Sequence, residues 1–238
     1  MLKLYRDTGM DIFATTRSAF AVTSSKAKRP SAKMPVGMSY KRALDIVIAL
    51  SGIIILAPLL TLCFMLTVVA SPGPVLFRHR RVGFDGKLFD CLKFRTMAID
   101  AAERLRHVLE TDPEAAAEWA ATRKLRNDPR VTTIGMILRK SSLDELPQLF
   151  NVLKGEMSIV GPRPVTEEEL ELYANSVDAY LACRPGITGL WQVSGRSSTT
   201  YEKRVAYDTF YAQNWSVALD VRIIIVTIPA LLLVDNAC

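Results

Sequence analysis

The chain is poor in the residues that hold soft metals or close disulfides. It has two histidines, His79 and His107, and four cysteines, Cys63, Cys91, Cys183 and Cys238, with no Cys-x-x-Cys pair in 238 residues. Two histidines exclude a His-based metal centre, and scattered thiols fit a reducing compartment better than a disulfide scaffold. Any metal would be a hard cation held by carboxylates. Neither a GxxxxGK[ST] loop nor a GxGxxG turn occurs, so a nucleotide is not cradled in either of those ways. Charge is missing over a long stretch as well: from Ile46 to Phe77, thirty-two consecutive residues carry none.

What is present is apolar. Half of the residues are hydrophobic, 23% are charged and the mean hydropathy is +0.18, which excludes intrinsic disorder and a collagen-like repeat. The net charge of +6 is unevenly placed. Residues 1–42 hold nine Lys or Arg against two Asp, while the remainder holds twenty-one basic and twenty-two acidic residues. The body is near neutral and an N-terminal arm is basic. That argues against a folded nucleic-acid face and for an arm lying on anionic lipid. The arm, residues 1–38, is polar and rich in Ser, Thr, Ala and Pro. A signal peptide is not expected, because the apolar run starts beyond residue 40 and is longer than an h-region. There is no internal repeat.

The apolar heart of the uncharged run, Ile46 to Ala70, is twenty-five residues, about 38 Å as a straight helix against a hydrocarbon core of ~30 Å. Pro58 sits at its middle, where it lacks a backbone donor and clashes with the carbonyl of Ile54. Each half is then about 18 Å long, too short to cross alone. Lys41 and Arg42 precede the run, and Arg78, Arg80 and Arg81 follow it, so both ends prefer the cytoplasmic side. A helix that enters, breaks at Pro58 and returns satisfies both flanks. A tilted single span and a buried soluble helix remain open alternatives.

Beyond Pro72-Gly73-Pro74 the pattern is that of a mixed domain, residues 73–238, behind an anchor over 39–72. Val75–Arg81 and Leu88–Phe94 read as strands joined by a turn at Asp85-Gly86. Helices are expected from Asp100 to about Leu125 with an interruption near Asp112-Pro113, over Ile134–Arg139, Ser142–Leu153, Glu167–Ala182 and Thr200–Asn214. Val217–Val234 ends in an apolar run too short to span, which suits an interfacial helix behind Asp220 and Arg222. The fold class is α+β, a mostly helical domain with short strands.

Chemistry concentrates in Leu138–Pro164. Ser142-x-x-Glu145 reads as a capping box, a purely structural role. The same residues also read as a site: Asp144 and Glu145 are neighbouring carboxylates at a helix start, one able to act as nucleophile while the other holds a divalent cation. Lys93, Arg95, Arg163 and Arg184 stand beside Pro/Gly turns or in the Lys93-Phe-Arg95-Thr-Met stretch. Each is either a solvated charge or a rigidly held phosphate ligand.

Three stretches together resemble the monotopic phosphoglycosyl transferase superfamily, the bacterial initiating sugar transferases. They are Ser71–Met97 (SPGPVLFRHRRVGFDGKLFDCLKFRTM), Leu138–Pro164 (LRKSSLDELPQLFNVLKGEMSIVGPRP) and Arg184–Arg196 (RPGITGLWQVSGR). The likeness runs from about Tyr40 to about Val234 and is strongest to exopolysaccharide enzymes that load hexose-1-phosphate onto undecaprenyl phosphate. It implies Asp144 as nucleophile and Glu145 as the Mg²⁺-binding partner. It also implies Arg163 as phosphate ligand, and Lys93, Arg95, Arg139, Arg184, Gln192 and Arg196 as substrate-side residues. It further implies a UDP-galactose or UDP-glucose donor, galactose before glucose, UMP release through a phosphosugar-aspartyl intermediate, and a place on the cytoplasmic face of the bacterial inner membrane. Small relatives often carry Ser-Pro at the membrane break, where this chain has Ala57-Pro58. No nucleic-acid partner is expected; a homodimer is compatible with the reading. A non-catalytic membrane scaffold and a basic nucleic-acid binder are the rival classes, opposed by the Asp144-Glu145 pair and by the near-neutral body.

Overall fold

The computed structural model describes residues 34–70, 72–122, 125–194 and 200–232. Most of the arm and Arg196 therefore lie outside the described residues. The described residues begin with two helices, α1 (Met38–Ile55) and α2 (Ala57–Ala70), which meet at 66° across Leu56. Pro58 lies in the first turn of α2, where its missing N–H costs nothing, and the Leu56 N–H still closes α1 on the Gly52 carbonyl at 2.9 Å. Inside α2, Thr67 returns its hydroxyl to the Cys63 carbonyl at 2.8 Å, so an apolar helix carries no unsatisfied hydroxyl there. Among the described residues no single helix is long and apolar enough to cross a membrane; the bent pair meets that test only jointly.

The strands β1 (Leu76–Val82) and β2 (Leu88–Phe94) form an antiparallel hairpin with Leu76 opposite Phe94 and Val82 opposite Leu88. The reversal falls at Asp85 (φ 56°) and Gly86 (φ 75°), the pair expected to turn. Helices α3 (Ala101–Thr111) and α4 (Pro113–Thr122) follow, broken at Asp112, whose carboxylate accepts the Glu114 and Ala115 N–H groups. Then come α5 (Thr133–Lys140), α6 (Gln148–Lys154), β3 (Ser158–Val160), α7 (Glu167–Glu171), α8 (Val177–Leu181), β4 (Gly186–Thr188), α9 (Leu190–Ser194), α10 (Tyr201–Gln213) and α11 (Val217–Leu232).

Three expectations fail locally. Ser142–Leu153 is not one helix. Ser142 turns to φ 56°, Leu143–Glu145 form a single 3-10 turn, and α6 starts only after Pro147, which cannot donate into a helix interior. The capping box on Ser142 does not form; the one that does form joins Thr166 and Glu169. Glu167–Ala182 splits into α7 and α8 at Ala174, which adopts φ 45°. The parallel pair β3–β4 was not expected. At three residues each the strands are too short to show a period, and β3 is buried throughout. The pair can close only through glycine: a Cβ on Gly186 would stand 2.1 Å from the Gly161 nitrogen.

The charges at the start of α1 make internal ties. Lys41 Nζ meets Asp220 Oδ2 at 2.6 Å, with side chains 6% and 2% exposed. Arg42 donates to the carbonyls of Val152 and Leu153 at 2.5 and 2.8 Å, closing the end of α6. Asp45 accepts from Ser158 Oγ and from the Ile159 N–H, both at 2.9 Å. The core then gathers Ala49 of α1, Leu149 and Val152 of α6, Ile159 and Val160 of β3, Tyr211 of α10 and Ile223 of α11. Past these ties α1 and α2 expose Val47, Leu50, Ile54, Ile55, Met65 and Val69, and α11 exposes Val221, Ile225 and Ile228.

Removing one partner of a buried ion pair strands the other charge. Asp220→Asn is therefore expected to lower unfolding free energy by about 3 kcal/mol or more, and the Lys41→Met/Asp220→Leu double variant to regain part of that loss. Denaturation of the purified chain in detergent measures both. An unchanged midpoint for Asp220→Asn would show that the pair does not hold α1 to α11.

Candidate active site

The site grows from the end of β2. Lys93 is followed by Thr96, whose carbonyl accepts the Thr132 N–H at 3.0 Å just before α5. Gly135 lets the helix lie directly on that segment, since a Cβ there would meet the Thr96 oxygen at 2.0 Å. One turn later Arg139 Nε donates to Thr96 Oγ1 at 2.8 Å. The left-handed Ser142 then reverses the chain, and the Leu143–Glu145 turn presents both carboxylates to Lys93. Leu143 and Leu146 seat this turn against Phe94, Leu138 and Cys63.

Lys93 Nζ lies 2.6 Å from Glu145 Oε1 and 3.9 Å from Asp144 Oδ2. The two acids are pushed apart. Burial lifts Asp144 to about 6, with the neighbouring Glu145 charge adding to the rise and Lys93 and Arg139 opposing it. Burial acts on Glu145 too, but the Lys93 charge and hydrogen bond, with Arg163 behind them, hold it below the ordinary glutamate value. One carboxylate is thus firmly ionised and its neighbour titrates near neutrality, the separation of roles seen where adjacent acids do different work.

The remaining expected residues divide. Arg163, in the Gly161-Pro-Arg-Pro turn after β3, packs on Trp191 of α9, its Cζ 5.7 Å from the ring centroid, and its charge is felt at Glu145. The Arg95 guanidinium lies over the Pro-Gly-Pro linker, where a Cβ on Gly73 would stand 2.7 Å from Nη1. Gln192 donates to the Ile187 carbonyl at 3.0 Å, beside Trp191. Arg184 is not brought to the dyad. Its Nε donates to the Gly155 carbonyl at 2.9 Å, so it closes the far end of α6 near Arg42.

Sequence reasoning passed over Asn151, which is fully buried in α6. Its Oδ1 accepts the Leu92 N–H at 3.0 Å and its Nδ2 donates to the Asp90 carbonyl at 2.8 Å, clamping α6 onto the strand that carries Lys93. A lone amide on the apolar face of Leu149-Phe-Asn-Val-Leu153 was the available signal. Thr96, Trp191 and Arg204 were also passed over.

As to metal, no group of three or more His, Cys, Asp or Glu side chains is assembled among the described residues. A cation caged by protein alone does not fit. The donors present, two adjacent carboxylates beside the Lys93 ammonium, would fit Mg²⁺ held by one or two carboxylates and by substrate phosphate.

A buried, charge-tuned carboxylate among rigid cations is a site for group transfer on an anionic substrate, and the comparisons agree. The chain belongs to the bacterial sugar transferase family, whose pattern matches residues 36–233. It is 51% identical over 199 residues to the exopolysaccharide production protein ExoY of Sinorhizobium fredii, covering 84% of this chain and 88% of that one. It is 45% identical over 236 residues to the undecaprenyl-phosphate galactose phosphotransferase of Salmonella typhimurium, covering 99% of this chain and 48% of that one. It is 42% identical over 205 residues to the UDP-glucose:undecaprenyl-phosphate glucose-1-phosphate transferase of Caulobacter vibrioides, covering 83% and 71%.

A carboxylate that must be ionised to react, with a pKa near 6, makes kcat/KM fall as pH drops through that value. Removing the Lys93 charge lets Asp144 rise further, so Lys93→Met is expected to move this acidic limb to higher pH as well as slow the reaction. A pH profile of wild type and variant measures it. An acidic limb that stays in place would mean Lys93 does not tune Asp144.

Proposed function

We propose that this protein transfers hexose-1-phosphate from a UDP-sugar to undecaprenyl phosphate at the cytoplasmic face of a bacterial inner membrane, opening exopolysaccharide assembly. The observation that carries the reading is the buried Asp144 held 3.9 Å from Lys93 and next to Glu145 on the Leu143–Glu145 turn. The family membership and the activities named for its relatives support it. Galactose is favoured over glucose, because the galactose-transferring relative is the more similar of the two and matches nearly the whole chain.

In this reading an Asp144 oxygen attacks the sugar-bearing phosphorus. The bond from that phosphorus to the bridging oxygen breaks, and UMP leaves with the oxygen and its electron pair. A phosphosugar-aspartyl ester remains. A phosphate oxygen of undecaprenyl phosphate then attacks the same phosphorus, the bond to Asp144 breaks, and the carboxylate is restored. The obstacle is the meeting of a carboxylate with a diphosphate. Lys93 and Arg163 place fixed positive charge where negative charge accumulates, without reorganisation at the moment of reaction. Arg139, pinned by Thr96, adds charge behind Asp144. Glu145, kept ionised, would hold Mg²⁺, which supplies charge neutralisation of the phosphates when bound.

The exposed apolar stripes of α1, α2 and α11 support a monotopic seat. The bent α1–α2 pair dips into one leaflet and returns, α11 lies at the interface, and the dyad stays at headgroup level where a lipid phosphate is found.

With undecaprenyl phosphate supplied, a panel of UDP-sugars should release UMP from one hexose donor. Asp144→Asn is expected to cut that turnover on the order of 10³-fold or more while leaving the protein folded, and EDTA to stop it. Turnover within about tenfold of wild type would remove Asp144 from the nucleophile's role. For the membrane seat, with native thiols replaced, single cysteines at Ser39 and Lys87 should both resist an impermeant reagent in intact cells and both react after lysis. Labelling of Ser39→Cys in intact cells would exclude the re-entrant arrangement.

A further inference from the structure

Behind Arg163 lies a second cluster that the chemistry above does not use. Arg204 of α10 is 8% exposed, and its Cζ stands 5.2 Å from the Trp191 ring centroid and 5.0 Å from that of Tyr201. Arg163 packs on the same indole. Two guanidiniums therefore share one aromatic ring, an arrangement that repels unless something negative lies between or beside them.

The hydrogen-bond inventory is one-sided. Arg204 Nε and Nη2, the two donors that form the side-on fork of the guanidinium, are buried and have no hydrogen-bond partner among the described residues. Trp191 Nε1 is likewise buried without an acceptor. Buried donors left unmade are costly, and three around one ring mark a place where an acceptor-rich group belongs. Asp208 does not supply it. Its Oδ2 accepts from Tyr173 at 2.7 Å, its Oδ1 makes no hydrogen bond, and it forms no ion pair with Arg204 among the described residues. Burial lifts Asp208 to about 7, so it opposes an incoming anion less than an ordinary carboxylate would. The charge of Arg163 is felt at both Glu145 and Asp208, and its guanidinium shares the Trp191 ring with Arg204.

We infer that Arg204, with Arg163 and the Trp191 N–H, forms a second anion subsite that takes the phosphate of the nucleoside monophosphate leaving group. This rests on the transfer reading above. Attack at the sugar-bearing phosphorus from Asp144 sends the departing phosphate away from the dyad. Arg163 is then shared between the two phosphates, and the Arg204 fork grips the one that leaves. Phosphate geometry accepts two parallel N–H bonds from such a fork, which a lysine ammonium cannot reproduce.

The test is UMP binding to the purified full chain in detergent by equilibrium dialysis, with KM and kcat for the UDP-hexose that turns over. Arg204→Lys keeps the charge and loses the fork; Arg204→Met keeps the apolar stem. Both are expected to weaken UMP binding by about tenfold or more and to raise KM more than they lower kcat, with the ligand-free unfolding midpoint of Arg204→Lys unchanged. UMP affinity within about twofold of wild type in both variants would overturn the inference. So would a fall in the ligand-free midpoint of Arg204→Lys, which would make Arg204 a strut for Trp191. If the wild-type chain itself neither binds nor releases UMP, the transfer reading fails, and this inference with it.

Discussion

The fold depends on a negative charge deep in an apolar setting. Asp220 is 1% exposed, and three partners answer it: Lys41 Nζ at 2.6 Å, the Tyr211 hydroxyl at 2.7 Å and the Trp215 indole N–H at 3.0 Å. These belong to α1, α10 and the turn before α11, so one carboxylate gathers the α1–α2 hairpin and the last two helices. A carboxylate so placed is tolerable only when fully paired. That requirement fixes where α1 enters, and with it the docking of Asp45 onto β3 and of Arg42 onto α6. The Gly-Pro-Arg-Pro turn leaves the end of β3, so the position of Arg163 is tied through this network to the first turns of α1.

The catalytic end obeys the same electrostatics in reverse. Around Asp220 charge is neutralised and locked. Around Asp144 it is left unbalanced: Lys93 leans to Glu145 at 2.6 Å and stays 3.9 Å from Asp144, so the buried carboxylate keeps only the longer contact. A carboxylate held by a strong ion pair is stabilised and less reactive. Here the second acid takes the ammonium, and Asp144 remains available. The scaffold that permits this is rigid. Asn151 ties α6 to β2, and Gly135 brings α5 into backbone contact with Thr96.

The hairpin therefore serves on two sides. Its charged first turns belong to the core of the domain, and its apolar remainder faces outward. No separate linker joins the hairpin to the domain, because α1 itself packs on α6 and β3.

Much of this was legible in the chain. The break at Pro58, the turn at Asp85-Gly86, the interruption at Asp112-Pro113 and the adjacency of Asp144 and Glu145 are local facts, set by a missing N–H, a glycine or a peptide bond. The family motifs added which of those residues belong to one site. What tertiary structure alone decided is pairing over distance. Lys93 meets Glu145 across 52 residues, and Lys41 meets Asp220 across 179. Lys41 and Arg42 looked like flanking charges and became internal ties. Arg184 looked like a phosphate ligand and became a helix cap. Arg204 stood in an ordinary helical stretch and came to rest on Trp191. A basic side chain has the same local signature whether it meets water, a carbonyl, a carboxylate or a ring, and only the packing of distant elements selects among them.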